Sequence, residues 1–386
     1  MIQLPDEQGR LSTYTLSEPT SYHLPEKPFS QRVLYAAVHV VADKTVDNGE
    51  GKPAAIDWDA TLAFRHHLWS YGFGVAEAMD TAQRGFGLDW AATRELISRS
   101  VAEAAKVGGR IACGAGTDQL ADDTSHLTLD DVVSAYEEQI DYIEACGGKI
   151  ILMASRALAA VAKDASDYIK VYSHLLAKVH APVILHWLGD MFDPKLQGYW
   201  GSDNWQEAGH TLLDIVSHNT SKVDGMKMSL LDADKEVYLR RRLPASVKMY
   251  TGDDFNYDVL IKGDDHGFSH GLLGIFDPIA PVAAAAMHAL EAGDIESYDR
   301  IFAPTVPLSR HIFETPTFYY KTGVVFMSYL NGHQDHFKMV GGLEDKRSTA
   351  HLVTLFKLAD RAGLLRDPKL AVARMEEVLE QRMVRA

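Results

Sequence analysis

Cysteine is scarce in this chain: Cys113 and Cys146 are the only two in 386 residues. They form no CxxC motif and sit in apolar runs, which excludes a disulfide-framed scaffold and a cysteine-based metal knuckle. Two inert thiols fit a reduced, cytoplasmic compartment. Basic residues are also short, with 38 Lys and Arg against 53 Asp and Glu and a formal charge of −15. That balance argues against nucleic acid or an anionic membrane as the main partner. No apolar run approaches the roughly 20 residues of a membrane span, and MIQLPDEQGR lacks the apolar core of a secretion signal. Also missing is a glycine-rich turn after the first β-like run, VLYAAVHVV (33–41), where a doubly wound nucleotide-binding sheet would carry one.

What is present is alternation. Seven more short β-rich runs follow: FGVAEAM (73–79), GRIACGAG (109–116), GKIILMAS (148–155), APVILHWL (181–188), VDGMKMS (223–229), ASVKMYTG (245–252) and GFSHGLLG (267–274). Amphipathic stretches separate them. Asp57 and Thr128 stand where N-caps belong, and Gly72, Gly108 and Gly147 where helices should end. Eight strands alternating with helices predict a (β/α)8 TIM barrel over residues 31–294. Residues 1–30, with Pro5, Pro19, Pro25 and Pro28, read as an extended surface arm. Residues 295–386 read as a C-terminal helical segment.

In a barrel the chemistry gathers at the C-terminal ends of the strands. Near the end of the sixth run, Lys227 stands between Met226 and Met228. Period-2 alternation places Gly225, Lys227 and Ser229 on one face and the two methionines on the other. Large thioethers suit the outer face and glycine the crowded interior, so Lys227 is expected to point inward. There burial drives its amine toward neutrality, the form that attacks a carbonyl. A lysine near a strand end is more often structural or a solvated rim residue, so its neighbourhood has to decide.

VDGMKMSLLDAD resembles the segment that carries the Schiff-base lysine in the dihydrodipicolinate synthase and N-acetylneuraminate lyase family. MYTGDDFN resembles that family's seventh strand, with Gly252, Asp253 and Asp254 at its turn. GFSHGLLGIFDPIAPVAAAAMHALEAGD resembles the eighth strand and its helix, with Asp277-Pro278 as a departure. PVILHWLG resembles the fifth strand, AMDTAQRGFGLDW stands at the second-strand loop, and YYKTGVVFMSYLNG resembles the tail helix. The resemblance implies that Lys227 forms a Schiff base and that no cofactor is needed. It also implies a small-molecule carbonyl substrate and a homodimer or homotetramer.

The departures bear on the substrate. Threonines that help hold a 2-oxo acid carboxylate in the family correspond here to Asp80-Thr81, with Gln83 nearby. The proton-relaying tyrosine falls on His186, whose ordinary pKa suits proton transfer near neutrality. The family's arginine has no counterpart in Trp187-Leu188-Gly189-Asp190, although Arg156 is a candidate replacement. The expected mouth is acidic and polar (Asp80, Asp190, Asp193, Asp253, Asp254, Asn256, His270), with Trp187, Phe192, Tyr199, Trp200 and Trp205 close in sequence. Such a mouth suits a hydroxylated, sugar-like substrate and a place in carbohydrate metabolism, unless the aromatic loop simply packs on the barrel.

The leading expectation is therefore a Schiff-base lyase, an aldolase or dehydratase, acting on a keto or oxidised sugar-like substrate or a 2-oxo acid. Two alternatives stay open. One is a metal-assisted isomerase or hydrolase on the same barrel, using Asp and His at the strand ends; His66-His67 and the His333, Asp335, His336 group could also bind a divalent metal, but the latter falls in the tail. The other is a sugar-sensing barrel that has lost catalysis.

Overall fold

The computed structural model describes residues 1–6, 8–120 and 123–385. Ten strands are formed among the described residues: β1 (Ile2–Pro5), β2 (Leu11–Tyr14), β3 (Leu34–Ala37), β4 (Gly74–Glu77), β5 (Ile111–Ala115), β6 (Lys149–Leu152), β7 (Val183–Leu188), β8 (Val223–Ser229), β9 (Lys248–Thr251) and β10 (His270–Leu273). Strands β3 to β10 pair in parallel and close into a barrel in which neighbours in space are neighbours in sequence. This is the (β/α)8 TIM barrel that the alternating pattern predicts.

The helices run in order as α1 (Trp58–Ser70), α2 (Trp90–Val107), α3 (Leu129–Cys146), α4 (Arg156–Val161), α5 (Ala165–Lys178), α6 (Trp205–His218), α7 (Ala233–Arg240) and α8 (Tyr257–Lys262). Six more follow: α9 (Phe276–Glu291), α10 (Ile295–Phe302), α11 (Thr305–Ile312), α12 (Tyr320–Leu330), α13 (Thr349–Arg361) and α14 (Pro368–Arg385). Their ends follow local chemistry. Asp57 accepts from the amide of Ala60, and Thr128 and Asp131 form a reciprocal capping box at the start of α3. Gly108 and Gly147 close α2 and α3 in the left-handed conformation, which costs glycine little. Among the described residues no helix is long and apolar enough to cross a membrane.

Inside the barrel, Tyr35, Ala76, Ala112, Ile151, Ile184, Tyr250 and Leu272 pack as one buried cluster, drawn from seven of its eight strands. The eighth strand, β8, supplies Gly225. A Cβ there would lie 2.4 Å from the Tyr250 ring, so glycine is what lets that ring fill the centre. Each fully buried large side chain of this kind contributes about 1.5–3 kcal/mol. The Tyr250 hydroxyl donates to Asp224 at 2.7 Å, and Asp224 also pairs with Lys248. The phenol's polar end is thereby satisfied.

The chain divides into two compact units. One contains all eight barrel strands, in residues 32–38 and 74–274. The other gathers residues 1–31, 39–73 and those from 275 on. Helices α1 and α9, expected within a 31–294 barrel domain, thus group with the tail. A helical pattern announces a helix, not its packing partner. The expected surface arm also differs from what forms. Its first residues make the β1–β2 hairpin, with Ile2 and Leu4 buried. Tyr14 donates through its hydroxyl and Ser17 through its amide to Asp360 of α13, which pins the arm down.

Candidate active site

Lys227 occupies the fifth position of β8 and is buried, with 6% of its surface exposed. A Cβ on Gly252, at the end of β9, would lie 2.9 Å from Lys227 Cε and 2.2 Å from Ser229 Oγ. The missing side chain at Gly252 is therefore what makes room for the lysine stem and the serine hydroxyl. Burial pulls the ammonium's pKa below its ordinary value, while the negative charges of Asp80 and Asp254 oppose that shift.

His186 of β7 is the register partner of Lys227. It is fully buried, and its Nε2 lies 3.3 Å from Ser229 Oγ. Burial first, and the Lys227 charge second, hold its pKa well below the usual histidine value. The ring is therefore a neutral imidazole near neutral pH, and a weaker base than an exposed histidine. Ser229 is absent from the sequence reading of the site, although the alternation that turns Lys227 inward turns Ser229 inward as well.

Asp80 and Thr81 open a short 3-10 turn after β4, half-buried and buried respectively. The backbone around them is strained: Ala78 and Gln83 take φ of 54° and 64°, and Leu231 just after β8 takes 52°. Left-handed conformations at non-glycine residues cost energy and concentrate where a site fixes its geometry. Here they lie on the loop that presents Asp80 and on the loop that follows Lys227. Buried Gln83 donates from Nε2 to the Phe86 carbonyl at 3.4 Å.

After β9, Asp253 accepts from the amides of Phe255 and Asn256 and from the Asn256 side chain. Its pKa is nonetheless raised by burial. Asp253 thus braces its own turn, whereas buried Asp254 acts on Lys227 through its charge.

The arginines at these loops are already paired. Arg156, at the start of α4, forms an ion pair with Asp193 and lies over the Phe86 ring at 5.2 Å. Arg84 is the residue that the sequence reading passed over. Its buried guanidinium pairs with Asp118 and donates to Gln139 and to the carbonyl of Gly114. The position inside AMDTAQRGFGLDW gives no hint that Asp118 and Gln139 converge on it.

Other expected mouth residues lie elsewhere. Trp187 follows His186 and so faces the opposite side of β7, packing 6.4 Å from fully buried Trp200. Tyr168, Tyr172 and Tyr199 complete that aromatic cluster, and Trp205 meets Tyr238 edge to face. These rings clad the barrel rather than line its mouth. His270 is the first residue of β10 and therefore belongs to the N-terminal end of the barrel. It accepts from the Val33 amide at 2.9 Å, and burial, followed by the charges of Lys248 and Arg32, lowers its pKa to about 4. Asp190 is exposed in the turn after β7.

The histidine group of the tail is dispersed. Asp335 pairs with Lys44, His336 accepts from the Lys338 amide, and His333 packs against His67 and Phe64. Among the described residues, the trio close enough to share a metal ion is His311, Glu314 and His351.

No curated protein sequence matches the chain. Its fold is shared with solved structures at low identity. A dihydrodipicolinate synthetase structure from Pseudomonas aeruginosa, described as putative, superposes with a TM-score of 0.64 at 14% identity, covering 86% of this chain and 100% of that one. Dihydrodipicolinate synthase from Aquifex aeolicus gives 0.64 at 13% identity, with 86% and 98% covered. YagE, a prophage protein of the dihydrodipicolinic acid synthase family from Escherichia coli K12 solved with pyruvate, gives 0.66 at 12%, with 86% and 99% covered. The resemblance drawn from VDGMKMSLLDAD and its companions thus holds at the level of fold. A sequence-family model described as protein of unknown function (DUF993) matches residues 2–384, so the chain belongs to that family, on a barrel of the dihydrodipicolinate synthase kind.

Proposed function

We propose that the protein is a Schiff-base lyase in which Lys227 attacks the carbonyl of a hydroxylated, sugar-like substrate. The observation that carries this reading is the buried amine at the C-terminal half of β8, lowered in pKa and in register with a neutral histidine. The neutral amine adds to the carbonyl carbon, and loss of water leaves an iminium. The iminium then accepts the electron pair of a neighbouring carbon–carbon bond as it breaks, or supports loss of a β-hydroxyl as water. In the first case His186 takes the proton of the β-hydroxyl and returns it to the resulting enamine before hydrolysis. Ser229, within reach of His186 Nε2, is placed to pass that proton.

Charge favours a neutral hydroxylated ketone or aldehyde over a 2-oxo acid. Asp80 and Asp254 both act on Lys227, and a substrate carboxylate there would meet two like charges. Arg156 and Arg84, which could offset them, are engaged by Asp193 and Asp118. Hydroxyl groups, by contrast, donate well to carboxylates. No cofactor is required by this scheme, and assembly as a homodimer or homotetramer is part of the proposal.

The test is reductive trapping. The protein is incubated with borohydride and, separately, with neutral ketoses, oxidised sugars and 2-oxo acids, then digested for mass spectrometry. A mass increase on the peptide containing Lys227, greater with hydroxylated ketones than with 2-oxo acids, is the expected result. Trapping on another lysine, or equal trapping in Lys227→Met, would overturn the assignment.

A further inference from the structure

We infer that His311, Glu314 and His351 form a zinc site that fastens the end of α11 to the start of α13. The three donors come together from two separate stretches of chain: His311 is the penultimate residue of α11, Glu314 lies two residues beyond it, and His351 stands in the first turn of α13. Their ligand atoms all lie within 4.8 Å of one another. His311 Nδ1 is 3.2 Å from one Glu314 oxygen, and His351 Nδ1 is 2.8 Å from the other. Around tetrahedral zinc, with bonds near 2.0–2.2 Å, neighbouring donors sit about 3.3 Å apart. The two histidine–carboxylate separations lie near that value.

The hydrogen bonding of His311 leaves Nδ1 as the atom available to a cation. Its Nε2 lies 2.9 Å from the backbone carbonyl of His351, an acceptor, so Nε2 carries the hydrogen. His311 thus turns Nδ1 toward a carboxylate oxygen, a pair of atoms that a proton or a metal ion can bridge. Donation of the outer ring nitrogen to a backbone carbonyl is also how metal-bound histidines are ordinarily held. The two imidazoles stack at 4.0 Å with 21° between their planes, which aims both at the same carboxylate.

His351 faces the same carboxylate through Nδ1. Its side chain is 5% exposed, and its Nε2 has no hydrogen-bond partner among the described residues. Its polar engagement is therefore on the side facing Glu314. Two imidazoles and one carboxylate match the borderline softness of zinc better than that of calcium or magnesium. Exposed Glu314 leaves the fourth position to water. Arg347 works against a second cation, but its guanidinium is spent on the carbonyls of Ile312, Glu314 and Pro316, where it braces the turn that carries Glu314.

The experiment uses the full chain, dialysed against chelator and titrated with Zn2+ by calorimetry. A parallel titration with Co2+ is followed by visible absorption. One zinc per chain at micromolar affinity or tighter, with the intense bands of four-coordinate cobalt, is expected. Glu314→Gln should weaken zinc binding about a hundredfold or more, and His351→Gln likewise. Glu314 is surface-exposed, so its variant keeps the test decisive should His351→Gln not fold. Zinc binding unchanged in Glu314→Gln, octahedral cobalt spectra, or no binding at micromolar metal would each overturn the assignment.

Discussion

Lys227 in the barrel unit and Lys321 in the helical unit are both buried, and their surroundings explain why only one is a candidate nucleophile. Lys321, on α12, donates to the carbonyl of Phe318 at 2.9 Å and lies 4.6 Å from the Tyr320 ring centre. Carbonyl and ring both favour the charged form and occupy the nitrogen. Around Lys227 the stabilising groups are carboxylates acting through their charge, and burial outweighs them. A buried lysine is thus not reactive because it is buried. It becomes reactive where the charged form is undersupported and the fold leaves room for its stem, as Gly252 does here.

Replacing each lysine by methionine should separate the two roles. Lys227→Met removes the nucleophile, so reductive trapping and turnover should fall by about 10³-fold or more. The same change relieves a buried charge and should raise stability by on the order of 1–3 kcal/mol, read as a higher denaturation midpoint. Lys321→Met should do the opposite: trapping unchanged, stability lower by roughly 1–2 kcal/mol. A destabilised Lys227→Met with trapping intact would reverse the comparison.

A subtler change sharpens it from the electrostatic side. Asp80 raises the Lys227 pKa against burial, so Asp80→Asn should lower it further. The neutral amine then exists at lower pH, and the pH at which trapping is half-maximal should move down by about one pH unit. An unmoved profile would mean that Asp80 does not act on the amine. The equivalent measurement on His186→Gln should leave the midpoint near its place while slowing the proton-transfer step.

Much of this was legible in the sequence, for reasons that differ residue by residue. The inward face of Lys227 follows from strict alternation in β8, a binary choice that local residues settle. The caps at Asp57 and Thr128 follow from bonds made within four residues. His270 was misplaced because β10 begins at that residue. Moving a strand boundary by three residues shifts a side chain by about 10 Å, from one end of the barrel to the other. The side of Trp187 was readable from its adjacency to His186, but proximity in sequence to the mouth suggested otherwise. The pairing of Arg156 with Asp193, 37 residues apart, and of Arg84 with Asp118, 34 apart, lies beyond any local pattern. For the same reason His311 and His351, 40 residues apart, gave no signal.

The barrel unit holds a third buried charge, of the other sign, that extends the comparison. Glu236 on α7 accepts from the Ser269 hydroxyl at 2.6 Å, yet burial raises its pKa from 4.5 to about 8. Its folded form therefore binds a proton more tightly than its unfolded form. Stability is fullest below the unfolded value of about 4.5 and declines as pH rises toward 8, where the buried carboxyl ionises. Glu236→Gln keeps an acceptor for Ser269 without the ionisation, so its stability should be flatter with pH. The expected difference from the native chain is near zero at pH 4.5 and grows to roughly 2–4 °C of melting temperature by pH 8.5. Melting curves that stay parallel across that range would mean the carboxylate is charged and satisfied in the folded protein. Lys227 would then be the clearer case in the barrel of a charge left undersupported.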